Sequence, residues 1–196
     1  REIGIPFLTL YAFSEENWSR PSKEVQALMN LLIRYLRGET KTMIKNDIRL
    51  NTIGQTEKLP SRVREFLTRT MEATSGCSGM VLSLALSYGS RDEIVLAARN
   101  LVRMALDGQV KADDISKELF AGHLHTAGIP DPDLLIRTSG EFRLSNFLLW
   151  QSAYTELYFT DVLWPDFRKK NLIEAILDYQ NRERRFGLTS EQLPKD

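Results

Sequence analysis

A chain of 196 residues, 42% of them hydrophobic, has enough apolar mass for one domain with a sizeable core and is short for two. Lysine plus arginine and aspartate plus glutamate each number 26, so no global field draws in nucleic acid, and an anionic ligand has to be met by local charge. The single cysteine, Cys77 in the loop TSGCSG, excludes an internal disulfide and suits a reducing cytosol. Neither a membrane-length apolar segment nor a signal peptide is recognisable, which predicts a cytoplasmic protein with at most peripheral contact to a membrane.

In chain order the pattern alternates. The sequence opens on Arg1 instead of methionine, and REIGIPFLTLYAF already reads as the approach to a strand, from which a preceding N-terminal segment is expected. Residues 5–13 are almost continuously apolar, as in a strand buried on both faces of a parallel sheet. Pro21 suits the first turn of a helix with Val25, Leu28, Met29, Leu32, Tyr35 and Leu36 on its packing face. IRLNTI (48–53) is the second strand, a helix after Pro60 presents Val63, Phe66, Leu67 and Met71, and GMVLSLALSYG is the third strand. Ser90 and Glu93 have the spacing of a capping box for a helix carrying Ile94, Ala98, Leu101, Val102 and Ala105, which should stop near Gly108. After a short helical region at 113–125, DLLIRT (133–138) is a strand, SNFLLWQSAY a helix or helical turn, TELYFT a strand, and 169–185 a closing helix. This order predicts one α/β domain over 1–196, a mainly parallel sheet flanked by helices.

Such sheets bind ligands outside the carboxyl ends of their strands, and the polar clusters fall there: FSEENWSRP after the first strand, SYGSRDE after the third, RTSGEFRLSN after the fourth. Asn17, Trp18 and Arg20 exceed what a strand-to-helix turn requires, a plain structural turn being the alternative. Arg137 at a strand end, Arg143 and an N-capping Ser145 put two guanidiniums and a hydroxyl beside a helix N-terminus, the equipment of a phosphate or diphosphate site. The alternative has Arg143 solvated and Arg137 paired with Glu141. Glycine-rich nucleotide loops are absent. Glu156, in AYTELYF, is a carboxylate among apolar neighbours, either a Mg²⁺ ligand or the partner of a buried arginine. His123 and His125 have no third metal ligand near in sequence, and Trp150, Trp164 and FLLWQ are expected in the core.

FSEENWSRP, DLLIRTSGEFRLSNFLLWQSAYTELYF, TDVLWPDF and NRERRFG together resemble the cis-prenyltransferases, from Ile5 to about Gly187. The resemblance implies repeated cis-condensation of isopentenyl diphosphate onto farnesyl diphosphate by a Mg²⁺-dependent homodimer. An apolar tunnel would hold the growing chain, and a long-chain (undecaprenyl) diphosphate would pass to the membrane. It assigns Arg137, Arg143, Leu144 and Ser145 to the diphosphate of isopentenyl diphosphate, Glu156 to Mg²⁺ and Asn17 to proton acceptance. Phe13, Ser14, Glu15, Glu16, Trp18 and Arg20 would form the substrate-binding wall, and Arg185 and Gly187 an Arg-x-Gly element that reaches across the dimer. Composition alone makes Arg182, Arg184 and Arg185 a basic helix end. A carboxamide has no useful basicity near neutral pH, so Asn17 is expected to orient a substrate or relay the proton rather than act as a free base.

The family's opening motif, a strand and glycine-rich loop with the catalytic aspartate, has no counterpart here and would lie before Arg1. The 196 residues by themselves are therefore expected to show little or no condensation. Two other readings stay open: a non-catalytic partner subunit of a heteromeric cis-prenyltransferase, which predicts loss of the asparagine and arginine motifs, and an unrelated α/β phosphate-binding protein, which predicts an aspartate or cysteine nucleophile at a strand end.

Overall fold

The computed structural model of the chain, which describes residues 2–184 and Glu191, has an α/β fold of parallel strands flanked by helices. It falls into two units, Arg1–Ile129 and Pro130–Asp196.

In the first unit β1 (Phe7–Ser14), β2 (Ile48–Ile53) and β3 (Met80–Tyr88) form a wholly parallel sheet in the order β1-β3-β2. β3 takes the centre because MVLSLALSY is apolar or small on both faces, and it is buried along almost its whole length. β1 lies at the edge and departs from the expected two-sided burial: Phe7 and Leu8 are each 38% exposed, and only Phe13 near its end is fully buried. Pro21 and Pro60 stand immediately before α1 (Ser22–Lys45) and α2 (Ser61–Thr74), as predicted. Met29, Ile33 and Leu36 of α1 meet Val63 and Leu67 of α2 in a core with Phe13, Leu50, Leu59 and Leu86. Burying each such side chain contributes roughly 1.5–3 kcal/mol. The helical period of α1 is the predicted one, but its buried face is rotated: Ile33 is inside and Tyr35 is 60% exposed.

α3 (Ser90–Leu106) corrects two further expectations. Gly89 occupies the N-cap, so Ser90 does not cap the helix, and Val102, expected inside, is exposed while Ser90, Glu93, Ala97 and Leu101 are buried. Glu93 serves the interior instead: the Tyr88 hydroxyl donates to its Oε2 at 2.5 Å and the His125 backbone N–H donates to its Oε1 at 2.9 Å. Glu93→Ala removes both acceptors, and because a buried polar group stripped of its partner costs about 1–3 kcal/mol, we expect roughly 3 kcal/mol of lost stability in urea unfolding. A loss below about 1 kcal/mol, the worth of one ordinary hydrogen bond, would show that the network does not hold this region together. The helix stops before Gly108, whose φ is 72°, and a short α4 (Lys117–Ala121) follows, capped by the Ser116 hydroxyl accepting the Leu119 N–H at 3.1 Å.

In the second unit β4 (Leu134–Arg137) and β5 (Glu156–Phe159) pair in parallel, with Leu134 opposite Glu156 and Arg137 opposite Phe159. SNFLLWQSAY, expected as a helix or helical turn, takes the turn form and not a helix, with the Ser152 N–H donating to the Leu148 carbonyl at 2.8 Å. Residues 144–154 run as successive turns with Ser145, Asn146 and Leu148 at φ 50°, 62° and 47°, a left-handed sequence that a right-handed helix excludes. Trp164 is not core either: it is 59% exposed and stacks on Phe167 with ring centroids 6.2 Å apart. α5 (Lys169–Gln180) closes the described chain, shorter than predicted. Arg185 and Gly187 lie outside the described residues.

Candidate active site

β1 runs directly into FSEENWSRP. Ser14 is extended, Glu15–Ser19 make one 3₁₀ turn, and Arg20 returns to extended backbone before Pro21, which disfavours helical geometry in the residue ahead of it. Asn17 closes the turn, its Oδ1 accepting the Ser14 N–H at 3.0 Å. That leaves Nδ2, a donor, as the group Asn17 can offer a ligand.

Trp18 is fixed from two sides. Its ring packs edge-on against Phe13 at 4.9 Å, and its Nε1–H donates to Ser87 Oγ at 2.8 Å. The Ser87 hydroxyl donates in turn to Glu15 Oε2 at 2.9 Å, and Lys58 Nζ meets Glu15 Oε1 at 2.6 Å. The clusters after β1 and β3 thus converge, as expected from their places at strand ends. Ser87 holds a left-handed φ of 47° at the end of β3, a conformation that is uncommon for a residue with a Cβ and worth strain at a functional position. Glu16 and Arg20 are exposed, Arg20 pairing with Glu24 at 2.7 Å. Sequence reasoning placed Ser87 in the cluster SYGSRDE without giving it a role and missed Lys58, because a lysine in a loop carries no mark of the carboxylate it will meet.

The second unit holds the arginine loop. Arg137 ends β4, and the loop after it is pinned to the segment after β5. The Thr160 N–H donates to the Arg137 carbonyl at 3.0 Å, the Gly140 N–H to the Thr160 carbonyl at 3.0 Å, and the Ser139 N–H to the Val162 carbonyl at 2.9 Å. Ser139 and Gly140 both have left-handed φ, 72° and 66°. A Cβ on Gly140 would lie 3.0 Å from Asp161 Oδ1, so glycine suits both the turn and the close packing. The Nε of Arg137 is buried with no acceptor among the described residues. Such a desolvated donor costs about 1–3 kcal/mol, a penalty that an anion would relieve.

Arg143 is exposed and ion-paired with Glu141. The alternative pairing of Glu141 with Arg137 is therefore not the one formed. Without a helix after it Ser145 is no N-cap, and the helix dipole expected there is absent. Ser145 and Asn146 instead sit inside a turn closed by the Phe147 N–H donating to the Leu144 carbonyl at 3.2 Å.

Glu156 is the first residue of β5 and half-buried, less enclosed than its apolar neighbours suggested. Its Oε2 accepts from Arg182 Nη1 at 3.0 Å. The same Nη1 donates to the Leu157 carbonyl at 2.9 Å, and Nη2 meets Asp178 at 2.6 Å. The Glu156 hydrogen bond, reinforced by Asp178, raises the pKa of Arg182 above the usual guanidinium value. The arginine pair foreseen for Glu156 is thus formed through one carboxylate oxygen. Among the described residues no group of three or more His, Cys, Asp or Glu could hold a metal ion, His123 and His125 included.

Comparison with known proteins places this arrangement. Residues 1–187, running through both units, match the prenyltransferase family described as "Putative undecaprenyl diphosphate synthase". The isoprenyl transferase of Geobacter sulfurreducens is 54% identical over 191 residues, 97% of this chain and 78% of that protein. Lavandulyl diphosphate synthase from Lavandula x intermedia, crystallised with dimethylallyl diphosphate, superposes with a TM-score of 0.92 at 39% identity, over 95% of this chain and 80% of that one. The crystal structure described as "a probable undecaprenyl diphosphate synthase" from Campylobacter jejuni gives a TM-score of 0.84 at 39% identity, over 95% of this chain and 85% of that one. The chain belongs to the cis-prenyltransferase (isoprenyl transferase) family, as the four motifs implied. No helix among the described residues is long and apolar enough to cross a membrane.

Proposed function

We propose that the protein elongates prenyl diphosphates, adding isopentenyl diphosphate repeatedly to farnesyl diphosphate to make a long-chain product. Family membership makes it an isoprenyl transferase; the observation that carries the finer reading is Arg137, a guanidinium at a strand end, ahead of a loop pinned by three backbone hydrogen bonds, whose buried Nε lacks an acceptor among the described residues. A preorganised donor of this kind is suited to a diphosphate. Arg143 joins it by leaving Glu141. In each cycle the C4 carbon of isopentenyl diphosphate forms a bond to C1 of the allylic partner, the C1–O bond breaks with its electron pair on the leaving diphosphate, and a C2 proton is lost. Asn17 Nδ2 holds the reacting diphosphate in line, and the proton passes to a diphosphate oxygen. Phe13 and Trp18 present a fixed aromatic wall to the prenyl chain.

Mg²⁺, when bound, supplies positive charge to the departing diphosphate, and Glu156 is the residue of this chain that would hold it. Glu156→Gln is expected to raise the Mg²⁺ concentration for half-maximal rate about tenfold, the worth of one charge-assisted contact; an unchanged Mg²⁺ dependence would leave Glu156 as the partner of Arg182 alone. Each added unit buries about five carbons, roughly 3–4 kcal/mol at about 0.8 kcal/mol per CH₂, so an apolar tunnel would set the product length. We also assign Arg185 and Gly187 to a partner's diphosphate in a homodimer. A complete gene product that sediments as a monomer at assay concentration with full activity would end that assignment.

The reading is tested first by binding. A non-catalytic partner subunit or a general phosphate-binding module gives no preference for isopentenyl diphosphate over inorganic pyrophosphate in calorimetry, whereas the site proposed here gives a clear one.

A further inference from the structure

In the first unit the groove between α1 and α2 holds a cavity of about 280 Å³ lined by Asn30, Ile33, Arg34 and Arg37 of α1 and Arg62 of α2. The charge there is unbalanced in a chain whose net charge is zero. The ion pairs Arg20–Glu24, Lys58–Glu15 and Arg69–Glu65 and the approach of His125 to Glu93 use none of the three arginines, and no carboxylate among the described residues forms a salt bridge with them. Arg34 and Arg37 are three residues apart on one helix, where like charges repel. Arg37 is held in place, its guanidinium 4.5 Å above the Phe66 ring.

Asn30 Oδ1 accepts from Gln26 Nε2 at 3.3 Å, which turns the amide toward donating with its own nitrogen. Arg62 is the second residue of α2, so the cavity borders the positive end of that helix. Every polar side chain on the lining is a donor, and Ile33 is the sole apolar one. The complementary ligand accepts only and is negatively charged. The volume lies just under the ~300 Å³ at which pockets for drug-sized ligands begin, enough for an anionic group and not for a prenyl chain.

We propose that the α1–α2 groove is an additional anion site that takes a phosphate or diphosphate group, built from none of the residues of the Arg137 loop. The group can be free in solution or the head of an anionic lipid, and the planar donors of three guanidiniums recognise either.

The test uses the complete gene product carrying Arg137→Ala and Arg143→Ala, so that the outcome does not depend on the proposed substrate site. Inorganic pyrophosphate is titrated in at low salt without Mg²⁺, before and after adding Arg34→Gln, Arg37→Gln and Arg62→Gln. These side chains are exposed, so circular dichroism should be unchanged; if the triple variant misfolds, the single variants carry the comparison. Each guanidinium removed is expected to weaken binding about tenfold, and binding should fall steeply with added salt. A parallel flotation assay uses phosphatidylcholine vesicles with and without phosphatidic acid. Loss of the pyrophosphate signal alone assigns a free anion; loss of flotation on phosphatidic acid as well assigns a lipid head group. Equal pyrophosphate binding and equal flotation with and without the three glutamines overturn the proposal.

Discussion

Arg137→Ala is expected to weaken isopentenyl diphosphate binding by tenfold to a hundredfold while changing farnesyl diphosphate binding much less. The estimate is the worth of one charge-assisted hydrogen bond, about 1.5–3 kcal/mol. Arg143→Ala should cost less, because Arg143 is exposed and already paired with Glu141, and an exposed pair is worth about 0–1 kcal/mol. The same substitution separates function from stability. Arg137 buries an Nε that has no acceptor among the described residues, so removing it should leave the ligand-free protein as stable as before or slightly more so. Calorimetry with each substrate, alongside thermal unfolding of the ligand-free variant, reads both effects. Equal weakening for the two substrates, or a large drop in unfolding temperature, would move Arg137 from binding to architecture.

Gly54→Ala should cost much more stability than the same change at Gly122 or Gly140. Gly54 directly follows β2 with φ 104°, and a Cβ there would lie 2.2 Å from the Leu86 carbonyl oxygen and 3.0 Å from Tyr88 Cβ. The oxygen belongs to the backbone of the central strand and cannot swing aside as a side chain could. Left-handed strain and the clash together are expected to cost on the order of 3 kcal/mol or more. The damage should also reach the site, because the next residue donates its N–H to the Ser87 carbonyl at 3.2 Å and Ser87 orients Trp18 and Glu15. Urea unfolding measures the first effect and the steady-state rate the second. A loss under about 1 kcal/mol, typical of an ordinary surface or mild core change, would mean that the two strands separate more easily than their packing indicates.

How legible this was in the sequence varied with the physics. Apolar runs against helical periods marked every strand and the long helices, and Pro21 and Pro60 marked two starts closely, because those signals are local. The buried face of α1 came out rotated since Tyr35 and Ile33 fit the same period and only packing decides between them. Glu93 fits a capping box by spacing, but its partners are the Tyr88 hydroxyl and the amide of His125, 32 residues away, which no window of sequence contains. The turns at Ser145, Asn146 and Leu148 were hidden for another reason: left-handed backbone at residues other than glycine is imposed by surrounding structure, not by propensity. The place of Arg137 at a strand end was readable, whereas the choice of Glu141 between two arginines was not. The hydrogen bond from the Ser14 N–H to Asn17 Oδ1 is local, yet nothing in the sequence distinguished it from the other caps that FSEENWSRP offers.

The central claim, that this chain adds isopentenyl units one after another, is tested most directly by incubating the complete gene product with farnesyl diphosphate, labelled isopentenyl diphosphate and Mg²⁺ and resolving the products by length. The account predicts a ladder of five-carbon steps that converges on one long product, with the new double bonds cis by NMR and the whole ladder suppressed by Arg137→Ala. No incorporation of label, or a single addition with nothing longer at any substrate ratio, would contradict it.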